Sequence, residues 1–261
     1  MAKRYNMDGR VAFITGAGGG IGRATALRFA SEGARVAVND VMEEGGRETV
    51  ELIKRDGGEA IFVGGSVASG KAVESMIGTV VATWGRLDYA DNNAWDAVFL
   101  PLIDMTEEQW DNAFDVCLKG VWLCMKYQLK QMTQQGSGVI VNIASIAGIQ
   151  PEPFTGAYSV AKAGVIQLTR VAAGEYGGSK GIRCNAIAPG FIGSERAIHA
   201  VTQEFITPEA TAAALARVKS SPAGRWGTTD ELAQSVVWLC SDNASFINGA
   251  VLAVDGGMLC V

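Results

Sequence analysis

Tyr158 and Lys162 stand four residues apart in the alanine-rich run A-Y-S-V-A-K-A-G-V-I-Q-L. On a helix, residues at that spacing share a face. An ammonium held beside a phenol favours the phenolate, because an opposite charge stabilises the ionised form. A tyrosine of ordinary pKa about 10 can then exchange a proton nearer neutral pH. Ser145 closes an apolar run, G-V-I-V-N-I-A, that reads as a buried strand. A hydroxyl at the carboxyl end of a strand in an open α/β sheet is well placed to hydrogen-bond a substrate oxygen. Taken alone, Y-x-x-x-K also describes an ordinary solvated helix face. What decides between these readings is the rest of the chain.

The elements that must position such a group begin near the N-terminus. V-A-F-I-T (11–15) is a short apolar run, followed at once by G-A-G-G-G-I-G (16–22). A helical pattern, R-A-T-A-L-R-F-A-S-E, leads to Gly33, and A-R-V-A-V-N-D ends a second apolar run at Asp40. Strand, glycine turn, helix, strand and acid in this order predict a dinucleotide-binding unit. Gly16, Gly20 and Gly22 allow the turn and a close backbone approach to a pyrophosphate. A helix starting near Ile21 offers unpaired N–H groups and the positive end of its dipole. Asp40 can accept from the adenosine ribose hydroxyls and would repel a 2′-phosphate. No Arg or Lys lies in the A-G-G-G turn or directly after Asp40, so NAD is expected rather than NADP.

Strand and helix patterns alternate through the remainder. A polar helix is expected over 41–56, a third strand at A-I-F-V-G-G, a helix over 70–84 and a fourth strand at L-D-Y-A-D-N-N-A. A long helical stretch over 105–135, two helices in this reading, leads to the run ending at Ser145. A helix over 156–176 carries Tyr158 and Lys162. I-R-C-N-A-I-A is a sixth strand stopped by Pro189-Gly190, 228–240 is a last helix and A-V-L-A-V-D-G-G a seventh strand. The connection 191–227 is longer and more irregular, with one small helix at T-P-E-A-T-A-A-A-L-A-R, and is expected to form a substrate lid. The pattern predicts one α/β domain over 1–261, doubly wound on a mostly parallel sheet.

With 48% hydrophobic and 19% charged residues, the chain can bury a sizeable core. A net charge of −5 without a basic block argues against nucleic acid and against an anionic membrane as partner. No apolar run reaches a membrane span, and no signal-peptide pattern stands at the start, so a cytoplasmic protein is expected. The single histidine, His199, excludes a multi-histidine zinc site, and no metal is expected. The five cysteines form no C-x-x-C and are read as buried free thiols.

Several ordered motifs resemble the short-chain dehydrogenase/reductase family over the whole length. They are T-G-A-G-G-G-I-G (15–22), N-N-A (92–94), V-N-I-A-S (141–145), Y-S-V-A-K (158–162), I-R-C-N-A-I-A-P-G (182–190), R-W-G (225–227) and V-D-G-G (254–257). The resemblance implies a seven-stranded Rossmann-type fold and NAD(P)-dependent interconversion of alcohols and carbonyls. It also implies a catalytic set that falls on Ser145, Tyr158 and Lys162. By the same resemblance Asn93 contacts the adenosine side, Lys162 holds the nicotinamide ribose and Ile192 meets the carboxamide. Ser194 stands where the family usually has threonine. A homotetramer or dimer is implied, paired through the helix before strand five and the helix carrying Tyr158.

Four departures from the family pattern stand out. Ser66-Val67 replaces the Asp-Val that bonds adenine. Trp95 replaces the glycine of N-N-A-G and puts a large ring beside the expected site. Asp91 stands in strand four where an apolar residue is usual, and a buried carboxylate needs a partner. Cys117 stands where the family has a fourth catalytic residue, an asparagine. Trp95, Phe99, Ile149, Phe154 and Phe191 are candidate apolar walls. They suit a cyclic or aromatic secondary alcohol or ketone, held by Trp95, Ser145, Phe154 and Tyr158. The competing reading, supported by Ser66, Asp91 and Cys117, is a catalytically weak NAD-binding sensor or assembly subunit.

Overall fold

Seven short runs become the strands of one all-parallel sheet: β1 (Val11–Ile14), β2 (Arg35–Asp40), β3 (Ala60–Gly64), β4 (Tyr89–Asn92), β5 (Gly138–Ile143), β6 (Ile182–Pro189) and β7 (Val251–Val254). The computed structural model of the chain describes residues 4–202 and 208–260. Among these, the helices are α1 (Gly20–Ser31), α2 (Glu43–Arg55), α3 (Gly70–Trp84), α4 (Glu107–Phe114), α5 (Gly120–Gln135), α6 (Gly156–Tyr176), α7 (Glu195–Thr202), α8 (Pro208–Ser220) and α9 (Thr229–Cys240). They cover both faces of the sheet, which is why the strands are apolar almost throughout instead of alternating. Ala12, Ile14, Val36, Val38 and Val141 pack toward α1, α2 and α9. Val11, Phe13, Ala37, Ala90 and Ile140 pack toward α3, α5 and α6.

The strand order is β3-β2-β1-β4-β5-β6-β7. The chain winds outward from β1 in one direction, then resumes on the other side with β4. The connections leaving β1 and β4 therefore part in opposite directions. This opens a crevice at the strands' carboxyl ends, where ligands bind in doubly wound sheets.

Two details differ from the sequence reading of the helices. The stretch over 105–135 is indeed two α-helices, α4 and α5, but a π-helical turn, Asp115–Lys119, joins them without a break. That turn carries Cys117, and such single π-turns are frequent at functional sites. In the expected lid, α7 was not foreseen, α8 matches the expected small helix, and residues 203–207 lie outside the described residues. Four of the cysteines are buried and free as expected. Cys260 is exposed, which corrects the reading that all five are buried: it sits in a final turn beyond β7, where no layer covers it.

A buried amide network fixes the rotation of α6. Asn92 Nδ2 donates to Asn142 Oδ1 (2.8 Å) and to Gln128 Oε1 (3.0 Å), and Gln128 Nε2 donates back to Asn92 Oδ1 (2.8 Å). Asn142 Nδ2 donates to Thr169 Oγ1 (2.9 Å). These bonds tie β4, β5, α5 and α6 together in surroundings where a mispaired amide would cost about 1–3 kcal/mol. The turn after β5 also touches α6 directly, because a Cβ on Gly148 would lie 2.7 Å from the Lys162 carbonyl carbon. Among the described residues no helix is long and apolar enough to cross a membrane, and no cluster of His, Cys, Asp or Glu could hold a metal ion.

Candidate active site

The glycine turn after β1 forms a backbone cradle. Gly16 and Gly20 have φ of 63° and 52°, in the left-handed region open to glycine. A Cβ on Gly22 would lie 2.3 Å from the Gly16 carbonyl oxygen and 2.7 Å from Asn93 Nδ2. Helix α1 starts on Gly19, which has no side chain to cap the first-turn N–H groups. Those donors, at the positive end of the helix, fit an anionic pyrophosphate. Ile21 lines the crevice. Asn93, buried, braces the cradle by donating to the carbonyls of Thr15 (3.0 Å) and Gly16 (3.2 Å). Ser194 stands across the cradle, its Cβ 3.1 Å from where a Cβ on Gly20 would be. Ile192 is buried beside it and bridges to Gly227.

At the far end of the cradle, the Asp40 carboxylate accepts from the backbone N–H of Gly18 (2.8 Å) and of Met42 (2.9 Å). Ser66 is exposed and its Oγ accepts from Ala68 N–H (3.2 Å), so its side chain spends itself on the local turn. Val67 is buried and packs on the backbone at Gly120. The cradle that a Cβ would fill, the uncapped helix start and the carboxylate at the end of β2 together fit a dinucleotide.

Ser145 leaves β5 in an extended conformation, with its Oγ accepting from Ala147 N–H (3.1 Å). Lys162 is among the largest fully buried side chains of the molecule. Its Nζ donates to the Ile143 carbonyl (2.6 Å) and lies 5.6 Å from the centre of the Tyr158 ring. Ser145, Tyr158 and Lys162 line one cavity of about 220 Å3, together with Asn93, Trp95, Phe154, Ile192 and Ser194. The sequence-predicted residues thus meet at the carboxyl end of the sheet, next to the glycine cradle.

The electrostatics differ from the sequence expectation. Burial pushes the Tyr158 phenol above its ordinary value, the nearby Cys117 sulfur adds to this, and the hydrogen bond with Ser145 opposes it. Lys162 is itself lowered by burial, against the pull of Cys117 and Asp91. The expectation that the lysine lowers the phenol is not met: desolvation of the phenolate is the largest cause of the shift, and Lys162 is itself held toward its neutral form by burial.

Aromatic rings wall the cavity. Trp95 and Phe99 meet Tyr158 edge-on, with ring centres 6.3 Å and 5.4 Å away. Phe191 packs against Trp226 at 5.5 Å. Phe154 has φ of 70°, a left-handed backbone that costs a non-glycine residue about 1–2 kcal/mol. Such strain concentrates where a side chain is held for use. Ile149 is half exposed and does not line the cavity, which corrects its reading as a wall: the turn after Ser145 points it outward. Trp226, which the sequence offers only as part of the R-W-G motif, and Glu152, which it did not single out, line it as well.

The buried acid of β4 sits between Ile14 and Val141 on the neighbouring strands. Both Asp91 oxygens are enclosed without a hydrogen bond of regular geometry, as is the hydroxyl of its polar neighbour Thr25 on α1. Burial pushes the Asp91 carboxyl up to about 8, opposed by Thr25 and by the charge of Lys162. Cys117 is fully buried. Its thiol donates to the Asp96 carbonyl (3.3 Å), and Asp96 N–H points back at the sulfur (3.5 Å).

A family profile described as Enoyl-(Acyl carrier protein) reductase matches residues 16–259. The crystal structure of levodione reductase superposes with a TM-score of 0.89 at 36% identity, covering 99% of this chain and 100% of that one. The chain belongs to the short-chain dehydrogenase/reductase family. Two relatives of this dehydrogenase/reductase match it almost end to end. An uncharacterized oxidoreductase of Thermotoga maritima is 41% identical over 256 residues, 98% of this chain and 100% of the relative. The 2,5-dichloro-2,5-cyclohexadiene-1,4-diol dehydrogenase of Sphingobium indicum is 38% identical over 260 residues, 98% of this chain and 99% of the relative. As a short-chain dehydrogenase/reductase, the protein is an oxidoreductase of a family that works with a nicotinamide cofactor.

Proposed function

We propose that the protein interconverts a secondary alcohol and a ketone on an apolar cyclic or aromatic substrate, with NAD(H) as cofactor and Tyr158 as acid and base. The observation that carries this reading is the shared cavity: a phenol, a hydroxyl and a buried ammonium open onto aromatic walls beside the glycine cradle. NAD(H), when bound, takes up or supplies the hydride. The chain does the rest. Ser145 holds the substrate oxygen, Tyr158 gives it a proton or takes one, and Lys162 stands behind the phenol, anchored to Ile143. Trp95, Phe99 and Phe154 exclude water from the exchange. The relatives that act on a cyclic diol and on levodione support a ring substrate. Half-exposed Trp122 on α5 and Val160 and Val171 on α6 support the homotetramer that the family resemblance implies.

Asp40 supports NAD over NADP. Arg23, a cation beside the cradle, is committed to the Gly18 carbonyl, Thr49 and Glu48. Glu43 and Glu44 open α2 on the same side. A 2′-phosphate would meet carboxylates there. An absorbance assay of cyclic and aryl ketones should show NADH preferred over NADPH. Asp40→Ser should weaken NADH use about 10- to 100-fold, the value of one or two hydrogen bonds to a charged group, and narrow the preference. Equal use of both cofactors by the unaltered protein would refute the NAD assignment.

Cys117 holds the backbone of Asp96, next to Trp95, through weak sulfur contacts. A thiol is a poorer donor and acceptor than an amide. Replacing Cys117 with Asn, the residue usual in the family, should raise turnover by up to about tenfold, roughly one hydrogen bond's worth of free energy. An unchanged rate in single-turnover experiments would show that the sulfur contacts suffice.

A further inference from the structure

Glu152 is a carboxylate in the wall of a largely apolar cavity. Among the described residues lining it, Glu152 and Lys162 are the charged ones, and Lys162 stands behind the Tyr158 phenol with its Nζ anchored on the Ile143 carbonyl. Burying an acid among aromatic rings is costly unless something compensates, and two features show that Glu152 is held in place rather than merely tolerated. Its backbone is pinned in a tight turn: Glu152 N–H donates to Thr155 Oγ1 (3.3 Å), and that hydroxyl shares hydrogen bonds with the Glu152 carbonyl and with Ser159 Oγ, each at 2.6 Å. The turn leads directly into α6, one helical turn before Tyr158. Arg217 on α8 stands 2.7 Å from Glu152 Oε1, and both side chains are mostly buried. The guanidinium nitrogens Nε and Nη2 nevertheless make no regular hydrogen bond. The pair is therefore a charge contact lying off the N–H axes, so a carboxylate that lines the cavity keeps the capacity to accept from another donor.

An ionised carboxylate only accepts hydrogen bonds. A group opposite it in the cavity must be a donor, and a ketone or ether oxygen would be repelled. The reacting oxygen is met by Ser145 and Tyr158, so the donor is a second group on the same small molecule. We propose that Glu152 is a specificity residue that accepts a hydrogen bond from a second hydroxyl of the substrate, with Arg217 positioning it, so that the pocket favours cyclic diols and hydroxyketones over simple cyclic alcohols. This rests on the oxidoreductase reading above and adds the substrate class.

The test compares kcat/KM for cyclohexane-1,4-diol and for cyclohexanol, with NAD, in the unaltered protein and in Glu152→Gln and Glu152→Leu. A ratio taken within one preparation does not depend on how much of the variant has folded. The unaltered protein should prefer the diol by about 10- to 100-fold, the range for a hydrogen bond to a charged acceptor. Glu152→Gln keeps an acceptor oxygen and should retain part of the preference, and Glu152→Leu should reduce the ratio to near one. A ratio near one in the unaltered protein overturns the proposal. So does a ratio unchanged in Glu152→Leu. Equal loss on both substrates, with the ratio kept, would make the pair a latch for the lid and equally overturn it. Turnover of neither alcohol, nor of any cyclic ketone, would remove the cyclic-alcohol reading itself and the inference with it.

Discussion

Tyr158→Phe should lower turnover about 10²- to 10⁴-fold in both directions, the usual worth of a positioned acid or base, while NADH binding stays within about twofold. The phenyl ring keeps the edge contacts with Trp95 and Phe99, so the cavity keeps its shape and loses one oxygen. No neighbour can replace that oxygen. Lys162 Nζ is anchored behind the ring on the Ile143 carbonyl, and the Ser145 hydroxyl is a far weaker acid than a phenol and already holds the substrate oxygen in the proposed mechanism. The pH dependence provides a second readout. Burial holds the Tyr158 proton more tightly than water would, so the phenol is the resting form at neutral pH. Ketone reduction, which consumes that proton, should then be nearly flat from pH 6 to 8. Alcohol oxidation needs the phenolate, whose share rises tenfold per pH unit below the pKa, so its rate should climb into the alkaline range. In Tyr158→Phe this climb should vanish. Full activity in that variant, measured by NADH absorbance with binding followed by fluorescence, would end the acid–base proposal.

The direction of that pH dependence could not be read from the sequence. Y-x-x-x-K announces a shared helix face because the helical period is local, and G-A-G-G-G-I-G between two apolar runs announces a cradle for the same reason. The order of strands was legible on this basis, and that of the helices apart from α7; that 105–135 holds two helices was legible too, but not that a π-turn at Asp115–Lys119 joins them. Desolvation is not local. It is set by Trp95 and Phe99 after β4 and by the turn after β5 closing over Tyr158, from separate parts of the chain. The same limit hid Glu152 and Arg217, which meet across a connection containing α6, β6 and α7. It hid the Asn92–Gln128–Asn142–Thr169 network, whose members look like ordinary polar residues in apolar runs. Ile149 was misplaced for a smaller reason: proximity to Ser145 in sequence does not say which way a short turn faces.

Asp91 is the departure that was legible as a problem and not as a solution. A carboxyl in the middle of β4 needs a partner, and among the described residues it meets a poorly aligned Thr25 hydroxyl and the charge of Lys162. The chain's answer is to leave the group protonated. Its folded pKa, pushed up to about 8, lies well above its ordinary value of 3.8. Between these two values the folded state keeps a proton that the unfolded chain releases, so stability falls as pH rises through that window and levels off above it. Each pH unit inside the window carries a limiting slope of about 1.4 kcal/mol. Relaxation around the carboxyl will reduce this, and a total effect of about 2–4 kcal/mol is expected. Asp91→Asn has nearly the same shape and no proton to lose. Near pH 4.5 the two proteins should melt at similar temperatures. At pH 8.5 the variant should melt higher by about 5–10 °C, since 1 kcal/mol moves Tm by about 2–4 °C in a domain of this size. Melting curves taken across pH 4.5–9 would measure the divergence. Parallel curves would mean that the carboxylate is charged in the folded protein and has found a partner, which Lys162 alone, bonded to Ile143, is poorly placed to be.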